Sequence, residues 1–198
     1  MSPDAFITLV PLATVAAWTP GPNNALVASS GATFGLRRTW PHVLGIGLGF
    51  PLMIFLVGFF FGGLFQTYPI LREGLRWIGA AILLWLAWKI ATSGGTSSAG
   101  GTPRPFTFWE AAAFQWINPK GWAFAVALTS QFVSPDAPLL SALAVSSVFL
   151  IVGLGSATTW AVLGQAITRW VNTEHRLRWF NMAMGAIIAG CVVLLFLD

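Results

Sequence analysis

Charged residues divide the chain into long apolar blocks. Residues 5–36, 39–71, 137–168 and 179–197 contain no Asp, Glu, Lys or Arg. A helix needs about 20 consecutive apolar residues to cross a bilayer. The first three blocks, at 32, 33 and 32 residues, therefore each hold one long or broken span but not two. Two further apolar segments carry charges. One covers 73–93, with Arg76 and Lys89 near its ends, where long basic side chains can reach the interface. The other covers 109–133 and contains Lys120. The pattern predicts an all-α membrane protein with six transmembrane helices, at 4–30, 39–64, 73–93, 109–133, 138–166 and 178–197.

One low-complexity stretch, SGGTSSAGGTPRP from Ser93, interrupts this pattern and reads as a flexible linker. It divides the chain into a first three-helix repeat (1–93), a cytoplasmic linker (94–105) and a second three-helix repeat (106–198). The halves echo each other in order. Pro20-Gly21-Pro22-Asn23 interrupts span 1 and Asn118-Pro119-Lys120 interrupts span 4. Gly47-Leu48-Gly49 answers Gly153-Leu154-Gly155, and Leu75-Arg76-Trp77 answers Leu177-Arg178-Trp179. Three spans per half is an odd number, so the second repeat lies inverted in the membrane. Inverted repeats with helices broken in corresponding places mark secondary transporters.

Composition narrows the class. Of 198 residues, 56% are hydrophobic and 8% charged, against roughly 25% charged in soluble domains. This excludes a cytosolic enzyme, a disordered chain and a nucleic-acid-binding domain. The net charge of +4 comes from loop residues. Arg37, Arg38, Lys89, Arg104, Arg169, Arg176 and Arg178 fall on one side of the membrane, Arg72 and Arg76 on the other. The positive-inside rule places the larger group in the cytoplasm and both termini outside. Trp40, Trp77, Trp88, Trp109, Trp170 and Trp179 fall near span ends, as interfacial tryptophans do. The single Cys191 allows no intramolecular disulfide, and two separated histidines are too few for a histidine-built metal site. His42, near a span end, is expected at the surface.

The helix breaks are where chemistry is expected. Proline within a helix removes a hydrogen bond and clashes with the preceding turn. Carbonyls freed in this way must face protein or a wet cavity, because lipid cannot satisfy them. At the first break, Pro20, Gly21, Pro22, Asn23 and Asn24 combine a doubly broken backbone with two amides. Such a site suits a zwitterion: helix N-termini attract a carboxylate and exposed carbonyls attract an ammonium. At the second break, Asn118 and Pro119 precede Lys120, the only basic residue deep in a predicted span. Lys120 has three options there: backbone carbonyls, a substrate carboxylate, or loss of its proton. Gln115, Trp18, Trp116 and Trp122 flank the breaks, either lining a cavity or packing. The candidate substrate-binding set is thus Pro20, Gly21, Pro22, Asn23, Asn24, Gln115, Asn118, Pro119 and Lys120.

Gly31/Gly35, Gly45/Gly49 and Gly58/Gly62 are GxxxG pairs that let helices approach closely. They are read as intramolecular packing in preference to dimerisation, with a homodimer as the alternative. Ser156, Thr158, Thr159, Gln165 and Asn181 are expected to hydrogen-bond between helices. No nucleophile elbow, zinc-protease motif or Walker loop is present, so no catalytic residues, cofactor or metal are implied.

PGPN in the first span, the glycines Gly31, Gly35, Gly45 and Gly49 after it, and NPK at Asn118-Pro119-Lys120 together resemble the LysE/RhtB family of amino-acid exporters, over essentially the whole chain. Residues 77–93 (WIGAAILLWLAWKIATS) and the stretch PGPNNALVASSGATFGLRR are similar to the cysteine and O-acetylserine exporters within it. The resemblance implies a bacterial inner-membrane protein that exports small neutral amino acids or their derivatives, driven by the proton gradient. It implies that Pro20, Gly21, Pro22, Asn23 and Pro119 belong to the functional core. Two alternatives remain at this point. One is the substrate-binding membrane subunit of a vitamin importer, which the inverted repeat disfavours. The other is a cation exporter, which would favour acidic or histidine ligands in the spans.

Overall fold

A computed structural model describes residues 3–61, 69–92, 104–170 and 174–194. Among these the chain is all-helical, with no strand. The eight α-helices are α1 (Pro3–Trp18), α2 (Pro22–Phe34), α3 (Leu36–Leu56), α4 (Pro69–Ala91), α5 (Phe108–Phe114), α6 (Pro119–Phe132), α7 (Pro138–Trp170) and α8 (Glu174–Leu194). A π-helical turn, Val57–Phe61, extends α3, and a 3-10 turn, Gln115–Ile117, follows α5. Of the linker expected at 94–105, residues 94–103 lie outside the described residues.

Both expected breaks are present. The first separates α1 from α2, which meet at a bend of 54°. The second separates α5 and its 3-10 turn from α6 at Asn118. They are built alike. Gly21 (φ −174°, ψ −178°) and Asn118 (φ −79°, ψ 106°) are extended cap residues, and each is followed by proline at the first helical position. Proline is suited to that position because its missing N–H has no partner there in any case.

By length and apolarity, Leu36–Phe60 and Pro138–Ile167 are long enough to span a membrane, and the bent pair Ala5–Trp18 with Pro22–Phe34 makes a third candidate. The expected loop between the first two spans is shorter than predicted. α2 runs to Phe34 and α3 starts at Leu36, so the turn is Gly35 alone, at φ 76°. Only glycine adopts that φ without strain. The Gln165 amide oxygen on α7 accepts from the Leu36 N–H at the turn. Arg37 and Arg38 thereby lie within the first turn of α3 instead of in a loop.

The helices pack around three apolar clusters. The first joins α1, α3, α6 and α7 through Leu9, Met53, Leu128 and Phe149. The second joins α2, α4, α5 and α8 through Leu26, Leu83, Phe114 and Ile188. The third joins α2, α3, α5 and α7 through Val27, Ile46, Ala111 and Ala161. Large apolar side chains also point outward: Ile7, Ile70, Trp88, Leu140 and Ile151 are each at least 70% exposed. A bilayer covers such a surface and water does not. Trp40, Trp77, Trp88, Trp109 and Trp179 are all exposed, as interfacial residues should be.

Glycines set the closest approaches, and they do so within the chain. A Cβ on Gly31 would strike the Ala161 carbonyl, and one on Gly164 would strike the Ala28 carbonyl, so α2 and α7 touch backbone to backbone. Gly45 and Gly49 admit Phe108 and Ala112 of α5. Gly47 receives the Leu154 side chain, which brings the two Gly-Leu-Gly elements together.

His42 departs from expectation. Its side chain is 1% exposed, stacked on Phe106 at 5.1 Å, with Nδ1 3.2 Å from Ser30 Oγ. The residues at the linker exit fold over it, which its position near a span end could not reveal. Ahead of α5, Thr107 and Glu110 form a capping box, and Glu110 takes two 2.6 Å contacts from Arg104.

Candidate functional site

The two breaks, about a hundred residues apart in sequence, meet in space. Lys120 Nζ donates to the Thr19 carbonyl at 2.6 Å and to the Pro20 carbonyl at 3.4 Å. These carbonyls terminate α1, where the helix dipole is negative and a cation is favoured. Of the three options open to Lys120 in the sequence, the structure takes backbone carbonyls. Gly21 makes this possible, since a Cβ there would lie 2.8 Å from Lys120 Cδ and 2.9 Å from Nζ. The ammonium also lies 5.7 Å from the Phe124 ring centroid.

A second bridge joins the breaks. Asn23 Nδ2 donates to Gln115 Oε1 at 2.8 Å, and Gln115 Nε2 returns a bond to Asn23 Oδ1 at 3.2 Å. Gln115 Nε2 also donates to the Ala111 carbonyl at 2.8 Å. Asn24 secures the first break from within. Its Nδ2 donates to the carbonyls of Ala17 and Thr19, at 2.9 and 3.0 Å. Ser156 of α7 donates to the same Ala17 carbonyl at 2.7 Å. Carbonyls freed by the break are therefore satisfied by protein, as an apolar environment demands.

Between the breaks lies a cavity of about 50 Å³. A water needs about 10–15 Å³ on this scale, so the cavity has room for about three to five waters, or a very small solute. Gly21, Asn23, Asn24, Asn118 and Lys120 line it, together with apolar side chains that include Ile46, Phe50 and Phe124. The N-termini of α2 and α6 thus converge on one cavity beside the Lys120 ammonium, an arrangement that favours a carboxylate. Asn118 is 3% exposed, and its Oδ1 has no hydrogen-bond partner among the described residues.

Of the nine candidates, Gly21, Asn23, Asn24, Asn118 and Lys120 line the cavity. Gln115 is fully buried behind Asn23 and acts through it. Pro119 supplies the first helical position of α6, and Pro20 and Pro22 shape the backbone and are not among the lining residues. Nor are the three tryptophans. Trp18 packs on Gly155, and Trp122 donates from its indole to the Trp116 carbonyl while their rings meet edge to face.

Sequence reasoning missed Ile46, Phe50, Gly153 and Ser156, which α3 and α7 contribute. The repeated Gly-Leu-Gly element was the available signal for Gly153. Ser156 gave only the general expectation of an interhelical bond. That expectation also describes Asn181, which accepts from Ser29 Oγ at 3.0 Å, and Gln165, but not Thr159, which bonds within its own helix.

The family model for LysE type translocators matches residues 14–198. Among curated proteins, the cysteine/O-acetylserine efflux proteins of Escherichia coli strain K12, Escherichia coli O1:K1 / APEC and Shigella flexneri serotype 5b are similar to this chain. Each is 33% identical over 183 residues, covering 92% of both chains. No solved structure gives a significant match.

Proposed function

The chain belongs to the LysE-type translocator family, a membrane transporter and not an enzyme, and on that premise we propose that it exports small neutral amino acids or their derivatives across the bacterial inner membrane, by alternating access driven by the proton gradient. Cysteine and O-acetylserine, named for its relatives, are the first substrates to test.

The observation that carries the proposal is the contact of Lys120 with the Thr19 carbonyl. It closes two proline-started helices around one cavity, so that both N-termini and a cation favour a carboxylate in the same place. The small volume and apolar walls suit a short, uncharged side chain. The set Pro20, Gly21, Pro22, Asn23, Asn24, Gln115, Asn118, Pro119 and Lys120 is proposed to form and support the substrate site.

The architecture is proposed as six spans in two inverted three-helix repeats, 1–93 and 106–198, joined by the cytoplasmic linker 94–105, with both termini outside. Helix packing supports the repeat: α3 packs on its counterpart α7 and α4 on its counterpart α8, while α1 meets α7 as α5 meets α3. In alternating access one repeat rocks against the other around a fixed site. Lys120–Thr19 and Asn23–Gln115 are the bonds that such rocking would make and break.

The test is efflux from cells loaded with a panel of small neutral amino acids that includes cysteine and O-acetylserine. Expression should accelerate release of at least one member, and a protonophore should abolish the gain. Unchanged release of every member by membrane-inserted protein would overturn the proposal.

A further inference from the structure

Gly21, Gly121 and Gly153 line the cavity, and they are not alike. A Cβ on Gly21 would lie 2.8 Å from Lys120 Cδ, and one on Gly121 would lie 3.4 Å from the Phe50 ring. Those two glycines make room for neighbouring side chains. A Cβ on Gly153 would meet no side chain and no other helix within 4 Å among the described residues. Alanine would also suit the helix better there, by about 1 kcal/mol. Neither packing nor helix formation therefore calls for glycine at this position.

The gap lies within a buried row. Residues four apart share a helix face, so Phe149, Gly153 and Ala157 of α7 stand in line. Phe149 is 0% exposed and Ala157 2%. Phe149 meets Phe50 of α3 edge to face, with ring centroids 5.4 Å apart. Ala157 packs in the cluster that holds Val27 and Ile46. Ile46, Phe50 and Ala157 line the cavity together with Gly153. The row is filled on either side of Gly153 and empty at it, in an interior that is otherwise close-packed. The open space at Gly153 is thus the cavity itself, at its apolar wall.

We propose that Gly153 seats the side chain of the transported amino acid and sets the largest side chain that the site accepts. The substrate's carboxylate is drawn to the N-termini of α2 and α6 and to the Lys120 charge, which leaves its side chain for the wall of Ile46, Phe50 and Gly153. This rests on the export reading and deepens it. It names the substrate class, amino acids with a short uncharged side chain, and the residue that limits it.

The test measures binding of glycine, alanine, serine, reduced cysteine and O-acetylserine to the purified full chain in lipid nanodiscs, by calorimetry. Wild type is compared with Gly153→Ala, Gly153→Val and Gly190→Ala, with thermal unfolding as the check on folding. Glycine has no side chain and serves as the internal reference. Gly190 has the same open space around a Cβ but does not line the cavity, so Gly190→Ala controls for the added helix propensity. Wild type should bind at least one larger member as tightly as glycine or more so. Gly153→Ala should weaken the largest bound member about tenfold or more relative to glycine, the scale of one methylene in a fitted pocket. Gly153→Val should extend the loss to the next smaller member, and Gly190→Ala should leave every ratio unchanged.

Unchanged ratios in folded Gly153→Ala and Gly153→Val would leave the gap to water or lipid and overturn the proposal alone. Equal weakening of every member, glycine included, would do the same, as would tighter binding of glycine than of every other member by wild type. Binding of no member by folded wild type would overturn the export reading for this substrate class, and the proposal with it.

Discussion

Lys120 Nζ donates to the Thr19 carbonyl at 2.6 Å, across a separation of 101 residues. This bond joins the end of α1 to the start of α6, so each helix break supplies what the other lacks. The first break frees carbonyls, and the second presents a cation.

Gly21 stands in the path of that bond. In Gly21→Ala the new methyl would lie 2.8 Å from Lys120 Cδ, the middle of a flexible side chain that can swing away. The variant should fold and insert at near wild-type levels, because the displaced atoms are not backbone. Export should fall severalfold as Lys120 leaves its carbonyls. Insertion is read by membrane fractionation and export by efflux from the same cells.

The Asn23–Gln115 pair makes two bonds with each other in a partly buried setting. Replacing either residue with alanine leaves the other amide short of partners, which costs about 1–3 kcal/mol. Asn23→Ala with Gln115→Ala should cost less than the sum of the two, because the double variant leaves neither amide behind. The expected coupling is about 0.5–1.5 kcal/mol, from thermal or denaturant unfolding in detergent of the four proteins of the cycle.

Glycines of equal appearance should respond in opposite ways. A Cβ on Gly31 would meet the Ala161 carbonyl, which is backbone and has little room to yield. Gly31→Ala should lower stability by about 1–3 kcal/mol, the usual range for overpacking. Gly190→Ala, where a Cβ meets nothing within 4 Å, should be neutral or slightly stabilising in its helix. Thermal unfolding of the two variants in the same detergent makes the comparison.

The charge distribution predicts the topology. Tags at both termini should be reachable from outside in intact cells, with the linker at 94–105 reachable only after permeabilisation. Labelling with an impermeant reagent decides it, and cytoplasmic exposure of either terminus would contradict the six-span arrangement.

Much of this was legible in the sequence because its causes are local. Proline weakens a helix locally without always ending it, since Pro11 lies inside α1 and Pro41 and Pro51 inside α3, but Pro20-Gly21-Pro22 and Asn118-Pro119 announced both breaks. Gly31, Gly45 and Gly49 announced close packing, though not their partners. The rest depends on long-range placement. That Lys120 would choose the Thr19 carbonyl, or Asn23 would choose Gln115, has no signature in the residues between them. His42 looked like a surface residue because Phe106, which covers it, comes from beyond the linker. Phe50 looked like an ordinary apolar helix position and Gly153 like part of a repeat, and only the crossing of α3 and α7 brings them to the cavity.

The central claim is that the joined breaks are the transport site, and export by Lys120→Ala tests it most directly. Wild type and variant are compared at equal membrane levels, with the substrate that wild type releases fastest. The account predicts at least a tenfold loss of export with insertion and folding intact. Export by Lys120→Ala at close to the wild-type rate would contradict it.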